Sequence, residues 1–160
     1  MARRSAAPRP HSAVVADALP DVLQFMRLLW SLAHGLERAS KRMGVRLGVT
    51  GPQRLTLRVI GLFPGISARE LATILHLHPS TLTGILQRLV DQRLLDRHAA
   101  PGDRRRAVLQ LTAAGRRVNA NRRGTVEGVV ADVLHAGTRA ERAHAQRLLA
   151  AIAHALDESD

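Results

Sequence analysis

Gly102-Asp103-Arg104-Arg105-Arg106, continued by Ala107-Val108-Leu109-Gln110-Leu111, is the stretch of this sequence that decides the fold. A glycine, one acid and three arginines in succession are typical of an exposed turn. The second run alternates in the manner of a half-buried strand. Together with Leu94 to His98 before the turn, it predicts a β-hairpin with strands 94–98 and 107–111 and a basic tip. Such a tip is suited to contact phosphate.

Two short helices are predicted directly before this hairpin. Ser67 and Glu70 have the spacing of a capping box and open the first helix. Pro79 has the first-turn position of the second helix, which is predicted to end at about Arg93. Two short helices joined by a tight turn, with a polar leading face on the second, are typical of a helix-turn-helix. A basic hairpin placed next makes the whole segment a winged helix in outline.

Further helices flank this segment. An apolar stripe predicts a helix from Asp17 to about Met43, and a second apolar strip on it indicates that two sides are covered. Thr50 and Gln53 form a capping box for a short helix ending near Phe63. Thr112 to about His135 is predicted as one helix, and a capping box at Thr138 opens the last. The predicted order is four helices, the hairpin and two helices.

The charge of the chain predicts a polyanionic partner. The formal net charge is +11, the sequence pI is about 11.8, and Lys41 is the only lysine. Arginine suits bidentate contacts with phosphate and base edges, although a genome that favours arginine codons is an alternative source of this charge. An anionic membrane surface is the second choice of partner. Only 2% of the residues are aromatic, which disfavours RNA and single strands and favours duplex DNA.

Several other classes of protein are disfavoured. The chain has no cysteine, so disulfides and thiolate metal sites are excluded. No apolar run reaches the length of a membrane span, and the start of the chain lacks an apolar signal core, so we expect a soluble, cytoplasmic protein with no membrane partner. The sequence contains none of the nucleophile, zinc or nucleotide motifs of enzymes, and no cofactor is expected. His76 and His78 could bind a metal, but a surface turn is the preferred interpretation.

Five motifs, in this order and spacing, resemble the MarR family of bacterial transcription regulators. They are Leu71-Ala72, Pro79-Ser80-Thr81-Leu82-Thr83, Leu94-Leu95-Asp96-Arg97, Pro101-Gly102-Asp103-Arg104-Arg105-Arg106 and Leu111-Thr112-Ala113-Ala114-Gly115. The resemblance covers about Val49 to Gly115 in detail, and the flanking helices match in order and length only.

The resemblance implies a mainly α fold, a winged helix-turn-helix with a small β-hairpin wing, flanked by N- and C-terminal dimerisation helices. The corresponding division of the chain is a disordered basic arm (1–16), an N-terminal dimerisation helix (17–48), the DNA-binding domain (49–115) and C-terminal dimerisation helices (116–160). A homodimer of this kind straddles a pseudo-palindrome in duplex DNA.

The resemblance also implies which side chains contact DNA. The second helix of the motif enters the major groove. Their hydroxyl, amide and guanidinium groups make Ser80, Thr81, Thr83, Gln87 and Arg88 its candidate contacts, although support of the helix entry by Ser80 and a solvated surface charge at Arg88 are the competing interpretations. The candidate contacts of the wing are Asp103, Arg104, Arg105 and Arg106. The family pattern Asp-x-Arg falls on Asp103 and Arg105, where the acid braces the turn or its arginines and the arginine reaches the minor groove. Arg104 and Arg106 then serve phosphates.

A small-molecule site is the last expectation. Met26, Trp30 and His34 follow one another at one-turn intervals on the first helix and are candidates to line a pocket for a small aromatic or phenolic acid, although a core or interface stripe is the competing interpretation. The function predicted is that of a regulator released from its operator by such a ligand. The alternative is an architectural nucleoid protein that uses the same charge without sequence preference, with an RNA-binding role in third place.

Overall fold

A computed structural model of the protein describes residues 18–100 and 103–159, and for residue 100 and residues 103–106 it describes the backbone alone. The predicted basic arm, residues 1–16, lies outside the described residues. The chain divides into two compact units, Met1–Arg38 and Ala39–Asp160. Within the described residues, no helix combines the length and the apolar character that crossing a bilayer requires.

The described residues form seven helices and one antiparallel hairpin, which confirms the predicted fold class of a mainly α winged helix-turn-helix. In chain order the elements are α1 (Asp21–Leu47), α2 (Gly51–Leu62), α3 (Ala68–Leu75), α4 (Pro79–Asp91), β1 (Leu95–Ala100), β2 (Asp103–Leu111), α5 (Ala113–Ala120), α6 (Val126–Ala136) and α7 (Arg139–Asp157).

The predicted capping boxes at the starts of α3 and α7 are confirmed. Ser67 and Glu70 cap each other at the start of α3: the Ser67 backbone N–H donates to the Glu70 carboxylate at 2.8 Å, and the Glu70 N–H donates to Ser67 Oγ at 3.3 Å. The same reciprocal pair forms between Thr138 and Glu141 at the start of α7. Each pair satisfies two backbone groups that a helix leaves without an internal partner.

α1 begins at Asp21 rather than at the predicted Asp17, and it ends at Leu47 rather than at Met43. Pro20 explains the late start, because the residue before a proline is pushed out of the helical region. Gly48, at a φ of +72°, accounts for the end of the helix.

The core of the second unit lies between the helix-turn-helix and the hairpin. Its centre consists of fully buried aliphatic side chains from α2, α3, α4, β1 and β2, namely Leu57, Ile60, Leu71, Leu82, Leu86, Leu89, Leu95 and Leu109. The segment before α3 pairs with β2 through two backbone hydrogen bonds. Leu109 N–H donates to Ile66 O at 3.0 Å, and Gly65 N–H donates to Leu109 O at 3.1 Å. Sequence analysis did not predict this pairing.

The hairpin is longer than predicted, and the basic residues belong to a strand. Leu95 pairs with Leu111 and Ala99 with Ala107, but the next pair is Ala100 with Asp103. The three arginines, residues 104–106, are therefore extra residues on β2 rather than a turn. The alternation of apolar residues that identified the strands stops at Ala107, so it could not reveal that pairing continues. The turn itself, residues 101–102, lies outside the described residues.

The single helix predicted from Thr112 to His135 is wrong, because the chain breaks between α5 and α6. Arg54 of α2 explains the break. Its guanidinium, only 1% exposed, donates to the backbone oxygens of Val118, of Asn119 at 3.1 Å and of Asn121 at 2.6 Å. In a continuous helix these oxygens would accept from the N–H groups four residues later. A side chain distant in sequence has taken their place.

Candidate nucleic-acid interface

α4 separates its side chains into two faces, as an amphipathic helix on a core must. Leu82, Ile85, Leu86 and Leu89 are buried against the core. The side chains predicted to contact DNA are all exposed: Ser80, Thr81, Thr83, Gln87 and Arg88. The helix therefore presents to solvent a face composed of hydroxyls, one amide and one guanidinium, which is suited to phosphates and base edges.

His78 caps the start of α4. Its Nδ1 accepts from the Ser80 backbone N–H at 3.4 Å and lies 2.7 Å from Ser80 Oγ. The tight turn before it is made by His76, which adopts the left-handed conformation at a φ of 49°. Both histidines of the predicted surface turn thus have structural roles. Among the described residues, no three histidine or carboxylate side chains come together as a metal site would require.

Two of the candidate contacts are held by α4 itself. Thr83 Oγ1 donates to Pro79 O at 2.8 Å, so its proton is used within the helix and its lone pairs remain available as acceptors. The Gln87 side-chain amide donates to Asp91 Oδ1 at 2.8 Å, one turn further along. Both residues are exposed, so the amide is oriented in the free protein without being buried.

A cavity of about 720 Å³ opens between α3 and α4. Apolar side chains line it, including Ala72, Leu77 and Leu82, and Arg69, Thr73 and Thr83 bring polar groups to it. Of the candidate DNA contacts on α4, Thr83 is among its lining residues. Met26, Trp30 and His34 are not among the residues that line it.

The base of the wing is locked onto the end of α4 by Thr112 and Gly115. Thr112 Oγ1 donates to Arg93 O at 2.8 Å and accepts from Gly115 N–H at 2.9 Å, and the Thr112 N–H donates to Leu94 O at 3.2 Å. Gly115 is buried, and a Cβ on it would lie 2.0 Å from Leu94 O. These contacts fix the direction in which the hairpin leaves the core.

The side chains of Asp103, Arg104, Arg105 and Arg106 lie outside what the structure describes. Their backbone belongs to β2. Asp103 pairs with Ala100, and residues 104–106 lie between that pair and the pair of Ala107 with Ala99. The segment from α3 to β1 carries four exposed arginines, Arg69, Arg88, Arg93 and Arg97, and three exposed acids, Glu70, Asp91 and Asp96. With its histidines neutral, its formal net charge is therefore only +1, and it adds little positive charge to that of the wing.

The three residues predicted to line a ligand pocket differ in exposure. Met26 is half-buried, whereas Trp30 is 59% exposed and His34 is exposed. A pocket at this place stays a prediction.

Sequence analysis missed His78, Asp91 and Gly115 as parts of this interface. Two of them carried a readable signal: His78 precedes a first-turn proline and so has the N-cap position, and Asp91 follows Gln87 by four residues. Gly115 belongs to the motif Leu111-Thr112-Ala113-Ala114-Gly115, but its role depends on the approach of Leu94, which precedes β1.

Known proteins resemble this chain in sequence and in fold. A sequence model described as the MarR family matches residues 47–106. A protein named as an HTH-type transcriptional repressor in Mycobacterium tuberculosis is 30% identical over 103 residues, which are 64% of this chain and 74% of that protein.

Among solved structures, that of the PcaV transcriptional regulator from Streptomyces coelicolor in complex with its natural ligand is similar with a TM-score of 0.62 and 27% identity, over 78% of this chain and 91% of that one. The S. aureus MepR–DNA complex has a TM-score of 0.69 at 17% identity, over 82% and 97%. A MarR mutant from E. coli complexed with operator DNA has a TM-score of 0.66 at 22% identity, over 82% and 95%. The last two likenesses establish the fold.

Proposed function

Because this chain belongs to the MarR family of transcriptional regulators, we propose that it represses transcription by binding a pseudo-palindromic operator in duplex DNA as a homodimer. Family membership makes it a DNA-binding regulator and not an enzyme. The proposal rests above all on α4, whose apolar side chains are buried while all five candidate DNA contacts are exposed. The repressor name of the mycobacterial relative supports the direction of regulation.

In the proposed complex α4 enters the major groove. The hydroxyls at its start approach a phosphate, which the helix dipole and the backbone N–H groups favour. Gln87 transfers its amide from Asp91 to an adenine edge, and Arg88 reaches a guanine or a phosphate. Since the contact between Gln87 and Asp91 is exposed, exchanging it for a base costs little.

The wing reaches the minor groove in the same complex. Arg105 is its reading residue, because a guanidinium is attracted by the negative potential of a narrow minor groove. Asp103 braces the hairpin, and Arg104 and Arg106 bind phosphates on either side. The hydrogen bonds that Thr112 makes with Arg93 O and with Gly115 N–H support these assignments, since they couple the direction of the wing to that of the recognition helix.

The homodimer explains the apolar side chains that this chain leaves exposed. On α6, Val133 is 69% exposed, and on α7, Leu156 is 66% exposed. α1 likewise exposes apolar side chains, among them Val22 at 72% and Leu28 at 55%. A second copy covering these faces forms a self-complementary interface around a two-fold axis.

A selection experiment and a sedimentation measurement together test the DNA site and the dimer. Duplexes selected by the protein from a random pool should share two half-sites related by a two-fold axis and separated by about one helical turn, roughly 10 base pairs. Sedimentation of the free protein at micromolar concentration should give twice the chain mass. Uniform coating of any duplex would instead support an architectural protein, and a folded monomer would remove the basis for the palindrome.

We further propose that a small aromatic acid releases the protein from its operator. The solved structure of the PcaV regulator contains that protein's natural ligand, which supports the proposal that the present protein also responds to a ligand. Trp30 and His34 are the candidate contacts for a ring and a carboxylate. Such a ligand weakens operator binding only if it prefers the conformation in which the two recognition helices are wrongly spaced.

Salicylate and related aromatic acids are the probes for this proposal. We expect one of them to raise the melting temperature of the free protein and also to weaken operator binding. Trp30→Leu should remove both effects while the dimer persists. A compound that raises the melting temperature and leaves operator affinity unchanged is no effector, and silence across the series would contradict the proposal.

A further inference from the structure

Arg54 is the largest fully buried side chain in the described part of the chain. Burying a guanidinium is expensive unless its donors are satisfied and its charge is balanced. Here Nε donates to Glu127 Oε1 at 2.6 Å, and the two terminal nitrogens donate to the backbone oxygens of Val118, Asn119 and Asn121. Each of its three nitrogens thus donates at one place, the break between α5 and α6.

The charges at this break match the two helix ends that meet there. The oxygens that Arg54 binds are those at the C-terminal end of α5, where the helix dipole favours a cation. Glu127 lies in the first turn of α6, where the dipole favours an anion. Burial raises the pKa of the Glu127 carboxyl, but the hydrogen bond and charge of Arg54, together with hydrogen bonds from the Glu127 backbone and from Thr125, outweigh burial and hold the pKa below its usual range. Glu127 is therefore ionised at neutral pH.

The backbone of the break is ordered by its own contacts as well. Arg123 N–H donates to the Asn121 side chain at 3.1 Å, and not to the carbonyl four residues earlier. Thr125, 1% exposed, caps α6 by accepting from Gly128 N–H at 3.2 Å and donating to Arg122 O at 3.0 Å. The direction in which α6 leaves the DNA-binding segment is thus fixed from both sides of the break.

We propose that Arg54 and Glu127 are a positioning pair that sets the half-site spacing the dimer selects. The inference rests on the proposed function, in which α6 and α7 carry the dimer interface and α4 reads DNA. Arg54 extends from α2, which packs against α4 in the core. It binds the end of α5 and Glu127 at the start of α6, and this segment leads to the proposed dimer interface. Two copies of this junction determine how far apart, and at what angle, the two recognition helices lie.

The test compares operators that differ only in spacing. Full-length wild-type protein and the Arg54→Met variant are titrated with the selected operator and with the same operator carrying two extra central base pairs. We expect wild type to prefer its own spacing by about tenfold or more, and Arg54→Met to prefer it by less than about threefold, with base preferences within each half-site unchanged. A merely structural residue would weaken binding to both operators equally.

Two further variants make the result decisive. Arg58→Met removes an arginine from the same helix that contacts Asn119 only at 3.3 and 3.4 Å, and it should keep the wild-type preference. Glu127→Gln keeps the shape of the pair but not the charge, and it should give an intermediate preference. If Arg54→Met fails to fold, Glu127→Gln decides.

The outcomes also separate this inference from the function on which it rests. A wild-type protein that selects no two-fold operator overturns the proposed function, and this inference falls with it. If wild type has a strong spacing preference and folded Arg54→Met retains it, this inference alone is overturned. Where Arg54→Met does not fold, retention of the preference in Glu127→Gln has the same meaning. Equal loss of preference in Arg58→Met would also overturn it, because the effect would then belong to lost charge.

Discussion

Replacement of Gly115 by alanine is expected to destabilise the folded protein by about 3 kcal/mol or more, a large part of the stability of a domain of this size. The added Cβ would lie 2.0 Å from Leu94 O and 3.0 Å from the Leu94 carbonyl carbon. Both are backbone atoms, and Leu94 O already accepts from Thr112 N–H. To make room, α5 must move away from the base of the hairpin.

Denaturant unfolding of the two proteins measures this effect, and Gly84→Ala is the matched control. Gly84 lies inside α4 with open space around the position of a Cβ. Alanine there should raise stability by up to about 1 kcal/mol, because glycine is the poorer helix former. Equal unfolding midpoints for Gly115→Ala and wild type would mean that the close approach of Leu94 does not exist.

Replacement of Arg105 by alanine is expected to weaken operator binding by about 1–3 kcal/mol, or roughly 5- to 150-fold in Kd, without loss of fold. The proposed contact is in the minor groove, where the attraction depends on how narrow the groove is. The loss should therefore be larger on the selected operator than on duplexes with a wide minor groove at the wing position. Fluorescence anisotropy with both kinds of duplex measures the difference.

Arg104→Ala is the matched comparison, since it removes the same charge from the neighbouring residue. A phosphate contact is insensitive to base sequence, so this variant should weaken all duplexes alike and reduce the dependence of log Kd on log salt by about one unit. Gln87→Ala should instead change base preference at one symmetric pair of positions. If Arg105→Ala binds the selected operator as wild type does, the assignment of the wing is wrong.

The helices and the helix-turn-helix could be predicted because their signals are local. A capping box such as Ser67 with Glu70 joins residues three apart, and Pro79 fixes its own backbone angle, so the sequence states both without reference to the rest of the chain. The two faces of α4 follow from spacing in the same way. The apolar period separated Leu82, Ile85, Leu86 and Leu89 from the polar residues that the structure leaves exposed.

The largest error arises from competition between local pairing and a partner distant in sequence. The segment from Thr112 to His135 has helical periodicity, yet it is divided because Arg54, more than sixty residues earlier, satisfies the carbonyls that would have continued α5. The arginines of the wing were placed in a turn because pairing of Ala100 with Asp103 leaves no trace in the alternation of apolar residues.

The sequence by itself therefore determined the fold class, the order of most elements, and which side chains of α4 face away from the core. Tertiary structure alone decided where α5 ends, how the hairpin is locked through Thr112 and Gly115, and that a buried arginine joins α2 to the start of α6. The physical reason is that periodicity and capping act over one or two helical turns. The burial of Arg54 and the approach of Leu94 to Gly115 exist only when distant segments pack together.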